Sequence, residues 1–153
     1  MQTIQRIHRS GVAVAPDRTI SDVAKVMERS GIGIVAVLDE DELVGVVTDR
    51  DLVRRGLARD LPVDGRIDAV MSSPVLTIEA DVDLHEAFDV FRLHRVRRLA
   101  VVDHGRFVGV LSLDDLLVDA ATDLTALVSP FAAEVAAPHR DSPVPSVTRQ
   151  PTT

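Results

Sequence analysis

The sequence GVVTDRD, residues 45–51, returns 64 residues later as GVLSLDD, residues 109–115. At this offset the chain matches itself without a gap over residues 11–53 and 75–117, and ten of the paired positions are identical. The apolar positions of the two copies coincide as well. Two copies are too few for a solenoid, which needs at least three stacked units. The repeat therefore predicts two related half-units that bury their apolar faces against each other.

Each half predicts the same order of elements: strand, helix, strand, strand, helix. A short alternating strand, residues 12–14 and 75–78, precedes a helix with apolar residues at helical spacing. The helix begins with a pair of residues typical of a capping box, T-x-x-D from Thr19 in the first half and D-x-x-E from Asp83 in the second. Two apolar strands joined by a four-residue turn follow, which is hairpin spacing. A second helix is expected directly after the hairpin.

Composition limits the functions that such a chain can serve. Apolar residues make up 46% of it and aromatic residues only 3%, so the core must be aliphatic. The absence of cysteine excludes disulfides, thiolate zinc sites and cysteine nucleophiles. A net charge of −7 has the wrong sign for general nucleic-acid binding. Because the apolar runs are shorter than a membrane span and the N-terminus lacks a signal-peptide pattern, we expect a cytoplasmic protein without membrane association.

The sequence does not predict a metal site or a catalytic site. His85 and His94 are nine residues apart, not the four of a helical zinc pair, and His104 falls in a predicted turn. No serine–histidine or paired-carboxylate arrangement stands out for catalysis. The arginines of residues 92–98 leave local nucleic-acid binding open, although the acidic total disfavours it. We therefore expect neither a metal ion nor an enzyme.

The repeated phrase places a hydroxyl at the start of a helix and a carboxylate three residues later. Thr48 with Asp51, and Ser112 with Asp115, fit a capping box, which is a common local structure. The same geometry suits a ligand, because free N–H groups at a helix start favour phosphate and a carboxylate can accept hydrogen bonds from the vicinal hydroxyls of a ribose. A glycine in the preceding strand lets a ligand or another backbone segment approach closely. The residues alone leave both interpretations open.

These motifs and this order of elements resemble a tandem CBS-domain pair, also called a Bateman module. The segment HRVRRLAVVDHGRFVGVLSLDDLL, residues 94–117, is similar to the last repeat of nucleotide-sensing members, and GVVTDRD to the first-repeat motif of many bacterial members. The resemblance implies an α+β fold of two βαββα repeats related by a pseudo-twofold axis, in a stand-alone bacterial protein. The expected divisions are repeat 1 at residues 1–62, repeat 2 at 63–122, a C-terminal helical extension interrupted near Pro130 at 123–139, and a disordered tail at 140–153.

Proteins of this family typically hold AMP, ADP, ATP or S-adenosylmethionine in clefts between the two repeats, and form homodimers. The resemblance therefore implies a regulatory module with no obligatory cofactor and no catalytic activity, which signals to a separate, unidentified effector protein. Its implied ligand-binding residues are Asp51 and Asp115 for the ribose, Thr48 and Ser112 for phosphate or ribose oxygens, the backbone of Gly11, Val12, Val75 and Leu76 beside the base, Ile32 and Val96 packed on the base, and Arg97, Arg98 and Arg50 for phosphate.

The two halves differ in charge. Where the second half has Arg97 and Arg98, the first has Gly33 and Ile34, and Asp114 would repel a phosphate if it faced the cleft. We therefore expect one good site rather than two, or a weak site. The alternative is that the arginines form a solvated face and that the protein is a ligand-free structural or scaffolding dimer.

Overall fold

The structure is a computed structural model in which residues 3–136 are described. Residues 137–139 of the expected helical extension and the tail expected at 140–153 lie outside the described residues. The first compact unit, residues 1–119, contains both repeats, and the second begins at Ala120, inside the last helix.

The elements follow the predicted order in both repeats. In the first they are β1 (Arg9–Ser10), β2 (Ala13–Val14), α1 (Ile20–Ser30), β3 (Ile34–Asp39), β4 (Glu42–Thr48) and α2 (Asp49–Asp51), which continues as a π-helical turn (Leu52–Gly56) and a 3-10 turn (Leu57–Arg59). In the second they are β5 (Thr77–Glu79), α3 (Leu84–His94), β6 (Arg98–Asp103), β7 (Arg106–Ser112) and α4 (Leu113–Ala136). Short 3-10 turns, Ile4–Arg6 and Ile67–Ala69, precede the repeats.

The predicted helix starts are confirmed. Thr19 Oγ1 accepts a hydrogen bond from the Asp22 N–H at 3.0 Å, and Asp83 Oδ1 accepts one from the Glu86 N–H at 2.9 Å. Each bond satisfies a donor that has no partner within the first helical turn. α1 ends where Gly31 takes the left-handed conformation, with φ of 62°, which glycine adopts without strain.

The two sheets share one register, displaced by 64 residues. β2 is parallel to β3 and β3 antiparallel to β4 in a three-stranded sheet, and β5, β6 and β7 repeat this arrangement. Even the irregularity in the hairpin recurs, between Val37 and Leu38 in one sheet and between Val101 and Val102 in the other. The expected α+β fold of two βαββα repeats is confirmed.

The segments that lead into the repeats are exchanged between them. β1 pairs with β7 of the second repeat, and Ser72, in the segment leading into the second repeat, bridges to Val46 of β4. Ile4 is fully buried in the core of the second repeat, whereas Ile67 and Val70 are fully buried in the core of the first. A boundary at residue 62 therefore divides the sequence but does not follow the packing. The exchange also pairs backbone groups that an edge strand would leave unpaired.

The C-terminal part differs from the expectation. A separate short helix interrupted near Pro130 was expected after residue 122, but α4 runs without a break from Leu113 to Ala136 with Pro130 inside it. The segment is rich in alanine and leucine, which favour helix strongly enough to carry the helix past one missing N–H donor. Within residues 3–136, no helix combines the length and the apolar character needed to cross a membrane.

Candidate ligand-binding cleft between the repeats

A cleft of about 250 Å³ lies where the two repeats meet. Residues 9–12, which are β1 and the two residues that follow it, form one wall, and the loop 31–33 with the first residue of β3 forms the next. The second repeat closes it with Arg98 at the start of β6, the end of β7 and the start of α4. The cleft thus combines the leading segment and a loop of the first repeat with Arg98, Ser112, Asp114 and Asp115 of the second.

The structure brings six of the predicted site residues together in this cleft. They are Gly11, Val12, Ile32, Arg98, Ser112 and Asp115. The residues expected beside the base come from the first repeat, and the hydroxyl and carboxylate expected for the sugar come from the second. The site therefore uses the repeated phrase of one half with the leading strand of the other.

Asp115 is the best-connected polar residue of the cleft. Arg9 donates to its Oδ1 through Nε at 3.0 Å and through Nη2 at 2.7 Å, and the Ser112 hydroxyl donates to its Oδ2 at 2.6 Å. Partial burial raises the pKa of Asp115, but the hydrogen bonds from Ser112 and Arg9 lower it more, so its pKa lies below the usual value. Asp115 is therefore held as a carboxylate that accepts hydrogen bonds.

The helix start beside Asp115 is partly capped. The Asp115 N–H donates to Ser112 Oγ at 3.1 Å, and the Leu113 N–H donates to the Arg97 carbonyl at 2.9 Å. Two of the N–H groups at this helix start, which were candidates for binding a phosphate, thus have partners within the protein. The capping interpretation of the repeated phrase is correct for Ser112, and the same residue still lines the cleft.

In the first repeat the corresponding residues complete a capping box. Asp51 Oδ2 accepts from the Thr48 N–H at 3.0 Å and from its hydroxyl at 2.9 Å, while Thr48 Oγ1 accepts from the Asp51 N–H at 3.1 Å. The other carboxylate oxygen lies 3.8 Å from Nε of Arg55, one turn further along. Thr48 and Asp51 therefore bond to near neighbours in sequence, and neither lines the cleft described above.

The other predicted residues lie elsewhere. Leu76 and Val96 pack against the core of the second repeat, and Val75 lines a separate cavity with Val44 and Met71. Arg50 is exposed at the start of α2. Arg97 donates to Asp114 Oδ1 at 3.2 Å. None of these predicted residues lines the cleft described above. A ligand-binding role for them, in a second cleft, stays a prediction.

Sequence reasoning missed Arg9 as a site residue. Arg9 lies just before the stretch that matches itself at the 64-residue offset, so the repeat could not point to it. Its partner Asp115 is 106 residues away, and only the pairing of β1 with β7 brings the two together. Asp114 was noted as a possible source of repulsion, and it does line the cleft.

The repeated glycines make room for protein, not for a ligand. A β-carbon on Gly109 would overlap the carbonyl oxygen of Arg9, and one on Gly45 would overlap the sulfur of Met71. The expected close approach of another backbone segment is thus found at Gly109, where β1 pairs with β7. Both repeats therefore have a glycine at this position because the exchanged leading segments pack directly against it.

The described residues, 3–136, contain no cluster of three or more histidine, cysteine, aspartate or glutamate side chains placed to hold a metal ion. The nearest acidic groups to the cleft, Asp114 and Asp115, each have an arginine partner. The chemistry that this cleft offers is therefore hydrogen bonding and ion pairing at its polar end and apolar or backbone contact at the other.

Comparison with known proteins gives one consistent family. The model of the CBS domain matches the chain twice, over residues 4–58 and 67–120. The CBS domain-containing protein YhcV of Bacillus subtilis is 30% identical over 113 residues, which cover 74% of this chain and 81% of that protein.

Solved structures agree with the sequence comparison. The crystal structure of Hypoxic Response Protein I with two coordinated zinc ions has a TM-score of 0.68 at 29% identity, covering 76% of this chain and 97% of that one. The CBS domain protein PAE2072 from Pyrobaculum aerophilum, complexed with AMP, has a TM-score of 0.69 at 28% identity, covering 79% of this chain and 99% of that one. With its two matched repeats and their shared register, the chain belongs to the CBS-domain family.

Proposed function

We propose that this protein is a cytoplasmic regulatory module that binds an adenosine nucleotide in the cleft between its repeats and signals to a separate partner protein. The candidate ligands are AMP, ADP, ATP and S-adenosylmethionine. The observation that carries the proposal is that Ser112 and Asp115 line one cleft together with Gly11 and Val12. The AMP complex of the related Pyrobaculum aerophilum protein supports an adenosine ligand.

The contacts of the proposed complex follow from the chemistry of the lining. An adenine ring would lie against Ile32 and hydrogen-bond to the backbone near Val12, since both residues line the cleft. The ribose would present its vicinal hydroxyls to the Asp115 carboxylate, which is held in its acceptor form. Arg9 and Arg98, which also line the cleft, would face the 5′ substituent.

Binding would change the partner of Arg9. The ribose hydroxyls compete with Arg9 for the same carboxylate, and the Arg9 side chain is 79% exposed, so it can turn away at little cost. Because Arg9 lies on β1, and β1 is held to β7 by backbone pairing, a shift there would alter how the leading segment sits on the second repeat. A ligand that binds one of the two arrangements better than the other shifts the population between them. This is the proposed signal.

The proposal includes a homodimer and an effector protein of unknown identity. Large apolar side chains on α4 are exposed along its length: Leu117, Val118, Leu124, Leu127 and Val128. Exposed apolar residues at this spacing are typical of a helix that packs against another protein surface. Light scattering on the purified chain would give twice the chain mass for a dimer and the single mass for a monomer.

A structural or scaffolding module is the second candidate. The ion pair of Arg9 with Asp115 favours it, because the carboxylate needed for a ribose already has a charged partner. In this case the cleft would stay without a ligand, and the module would act only through protein–protein contact.

Calorimetric titration with AMP, ADP, ATP and S-adenosylmethionine distinguishes the two. Nucleotide sensing predicts micromolar binding of at least one compound, weakened by at least about tenfold in Asp115→Asn, since loss of a charged hydrogen-bond partner costs roughly 1.5–3 kcal/mol. Asp51→Asn is the matched control, because it makes the same change in the other copy of the motif, outside this cleft.

The outcomes separate cleanly. Binding that is lost in Asp115→Asn and kept within about twofold in Asp51→Asn supports the proposed site. Equal losses in both variants would overturn the assignment to this cleft. No heat and no change in melting temperature with any of the four compounds would favour the scaffold.

A further inference from the structure

The charged groups that line the cleft cancel each other. Arg9 and Arg98 supply two positive charges, and Asp114 and Asp115 supply two negative ones. Arg9, Arg98 and Asp114 are exposed and Asp115 is half-buried, so each side chain can turn in response to a ligand. A polyanionic ligand therefore meets no excess of positive charge at the polar end of the cleft.

The arginines near the cleft are also engaged by carboxylates. Arg9 donates to Asp115 at 2.7 Å, and Arg97 donates to Asp114 at 3.2 Å. Arg98 and Asp49 lie against the same point of the backbone: a β-carbon on Gly33 would be 3.4 Å from Arg98 Nη2 and 3.0 Å from Asp49 Oδ2. A chain of several phosphates would have to compete with carboxylates for Arg9 and Arg97, and it would meet the Asp49 carboxylate close to Arg98.

Asp114 differs from Asp115 because it is not needed to bind the ribose hydroxyls. Asp115 has the position that suits vicinal hydroxyls, with Ser112 bonded to it at 2.6 Å. Asp114 lines the cleft, and its ion pair with Arg97 is solvent-exposed, with 68% of the Asp114 side chain accessible, so its carboxylate can still act on whatever extends beyond the ribose. At the corresponding position of the first repeat, the residue is Arg50, of opposite charge.

We infer that Asp114 is a specificity-determining residue, which restricts the cleft to adenosine ligands whose 5′ substituent carries at most one phosphate. This inference rests on the proposed function. One phosphate can be matched by Arg9, once the ribose has released it from Asp115, and by Arg98. Each further phosphate adds negative charge near Asp114 and finds no additional unpaired arginine in the lining. The residue selects by repulsion, which is a common way to obtain specificity.

The test is a set of titrations with adenosine, AMP and ATP in magnesium-free buffer that contains a chelator. The wild-type protein is expected to bind AMP at least about tenfold more tightly than ATP. In Asp114→Asn, which keeps the side-chain shape and removes the charge, the affinity for ATP is expected to rise about three- to tenfold, as for one screened charge interaction. Adenosine affinity is expected to change by less than about twofold.

Asp41→Asn is the matched control. It makes the same change in net charge, but Asp41 is exposed in the turn between β3 and β4 and does not line the cleft. Its titrations should match the wild type for all three compounds. The gain of ATP affinity in Asp114→Asn should also shrink between 50 and 500 mM salt, roughly, because ions screen exposed charges.

The results distinguish the inference from the proposed function. If adenosine and AMP bind but ATP binds as tightly as AMP, or Asp114→Asn leaves the ratio unchanged, the role of Asp114 is wrong and the nucleotide site stands. A gain of ATP affinity that also occurs in Asp41→Asn would reflect total charge and would overturn the inference. If none of these compounds binds to the wild type or to Asp114→Asn, and S-adenosylmethionine does not bind either, the proposed function itself fails.

Discussion

The motif of the first repeat is completed by its own neighbours, whereas that of the second is completed by a distant strand. Asp51 takes its bonds from Thr48 and lies near Arg55, all within eight residues. Asp115 takes one from Ser112 and two from Arg9, which is 106 residues away. Nearly the same short sequence therefore serves a helix start in one repeat and a cleft between repeats in the other.

This difference shows that the contacts of a motif depend on which segment of the chain packs beside it. Both copies begin a helix, and both place a carboxylate one turn in. In the second copy the carboxylate also meets the leading segment of the chain, because β1 pairs with β7. In the first copy the equivalent neighbour is the segment around Ser72, which brings Met71 against Gly45 and no arginine to Asp51. An apolar neighbour packs, whereas a basic one makes an ion pair.

The largest expected effects come from breaking the exchange that creates this difference. Ile4→Ala and Ile67→Ala should each lower the free energy of unfolding by about 2–5 kcal/mol, because each side chain is fully buried in the core of the other repeat. Denaturant titration measures the change. Leu93→Ala, at a side chain that is 78% exposed, is the control and should change stability by less than about 0.5 kcal/mol. A cost for Ile4 no greater than for Leu93 would contradict the exchange.

A smaller effect should separate the two glycines. In Gly109→Ala the new methyl group meets the backbone carbonyl of Arg9, which cannot move without shifting β1, so a loss of roughly 1–3 kcal/mol is expected. In Gly45→Ala it meets the flexible side chain of Met71, which can turn aside, so the loss should be less than about 1 kcal/mol. Thermal and denaturant unfolding of both variants shows which of them loses more stability. Equal losses would show that β1 is not fixed on Gly109.

The smallest expected effect concerns the ionisation of Asp115. Burial raises its pKa, but hydrogen bonds from Ser112 and Arg9 lower it more, so the net pKa lies below the ordinary value of an aspartate. Arg9→Gln should therefore raise the pKa of Asp115, as measured by carboxyl-carbon NMR titration. Ser112 still donates in that variant, so part of the lowering should remain.

The sign of the linked stability change follows from the direction of this shift. A carboxyl with a lowered folded-state pKa contributes stability above the unfolded value of about 3.9 and loses it as pH falls through the folded value. The advantage of the wild type over Arg9→Gln, at most about 1 kcal/mol for an exposed partner, should thus be complete near pH 6 and vanish below the folded pKa. An advantage that is constant with pH would contradict the ion pair.

The repeat predicted most of the fold because the sheet register is a local property. Alternation and spacing determined the β3–β4 and β6–β7 hairpins, and the capping residues Thr19 and Asp83 marked the helix starts. The predicted interruption at Pro130 is wrong: proline removes one N–H donor and crowds the preceding turn, but α4 continues through it in a segment rich in strong helix formers.

The site was only partly predictable, for a physical reason. Ser112, Asp115 and Ile32 lie within the matched repeats, so the resemblance pointed to them. Arg9 lies outside the matched stretch and reaches the cleft through a pairing between strands that are far apart in sequence. Such pairings depend on tertiary packing, which no short motif records.

The exchange of leading segments has a consequence for biosynthesis. Residues 9 and 10 are synthesised about a hundred residues before their strand partner β7. Contacts of such wide sequence separation slow folding and leave an unpaired strand exposed in the meantime. The core of the first repeat can close once Ile67 and Val70 have been made, whereas Ile4 must wait for the whole second repeat. β7 therefore fixes in place a strand, β1, that is synthesised well before it.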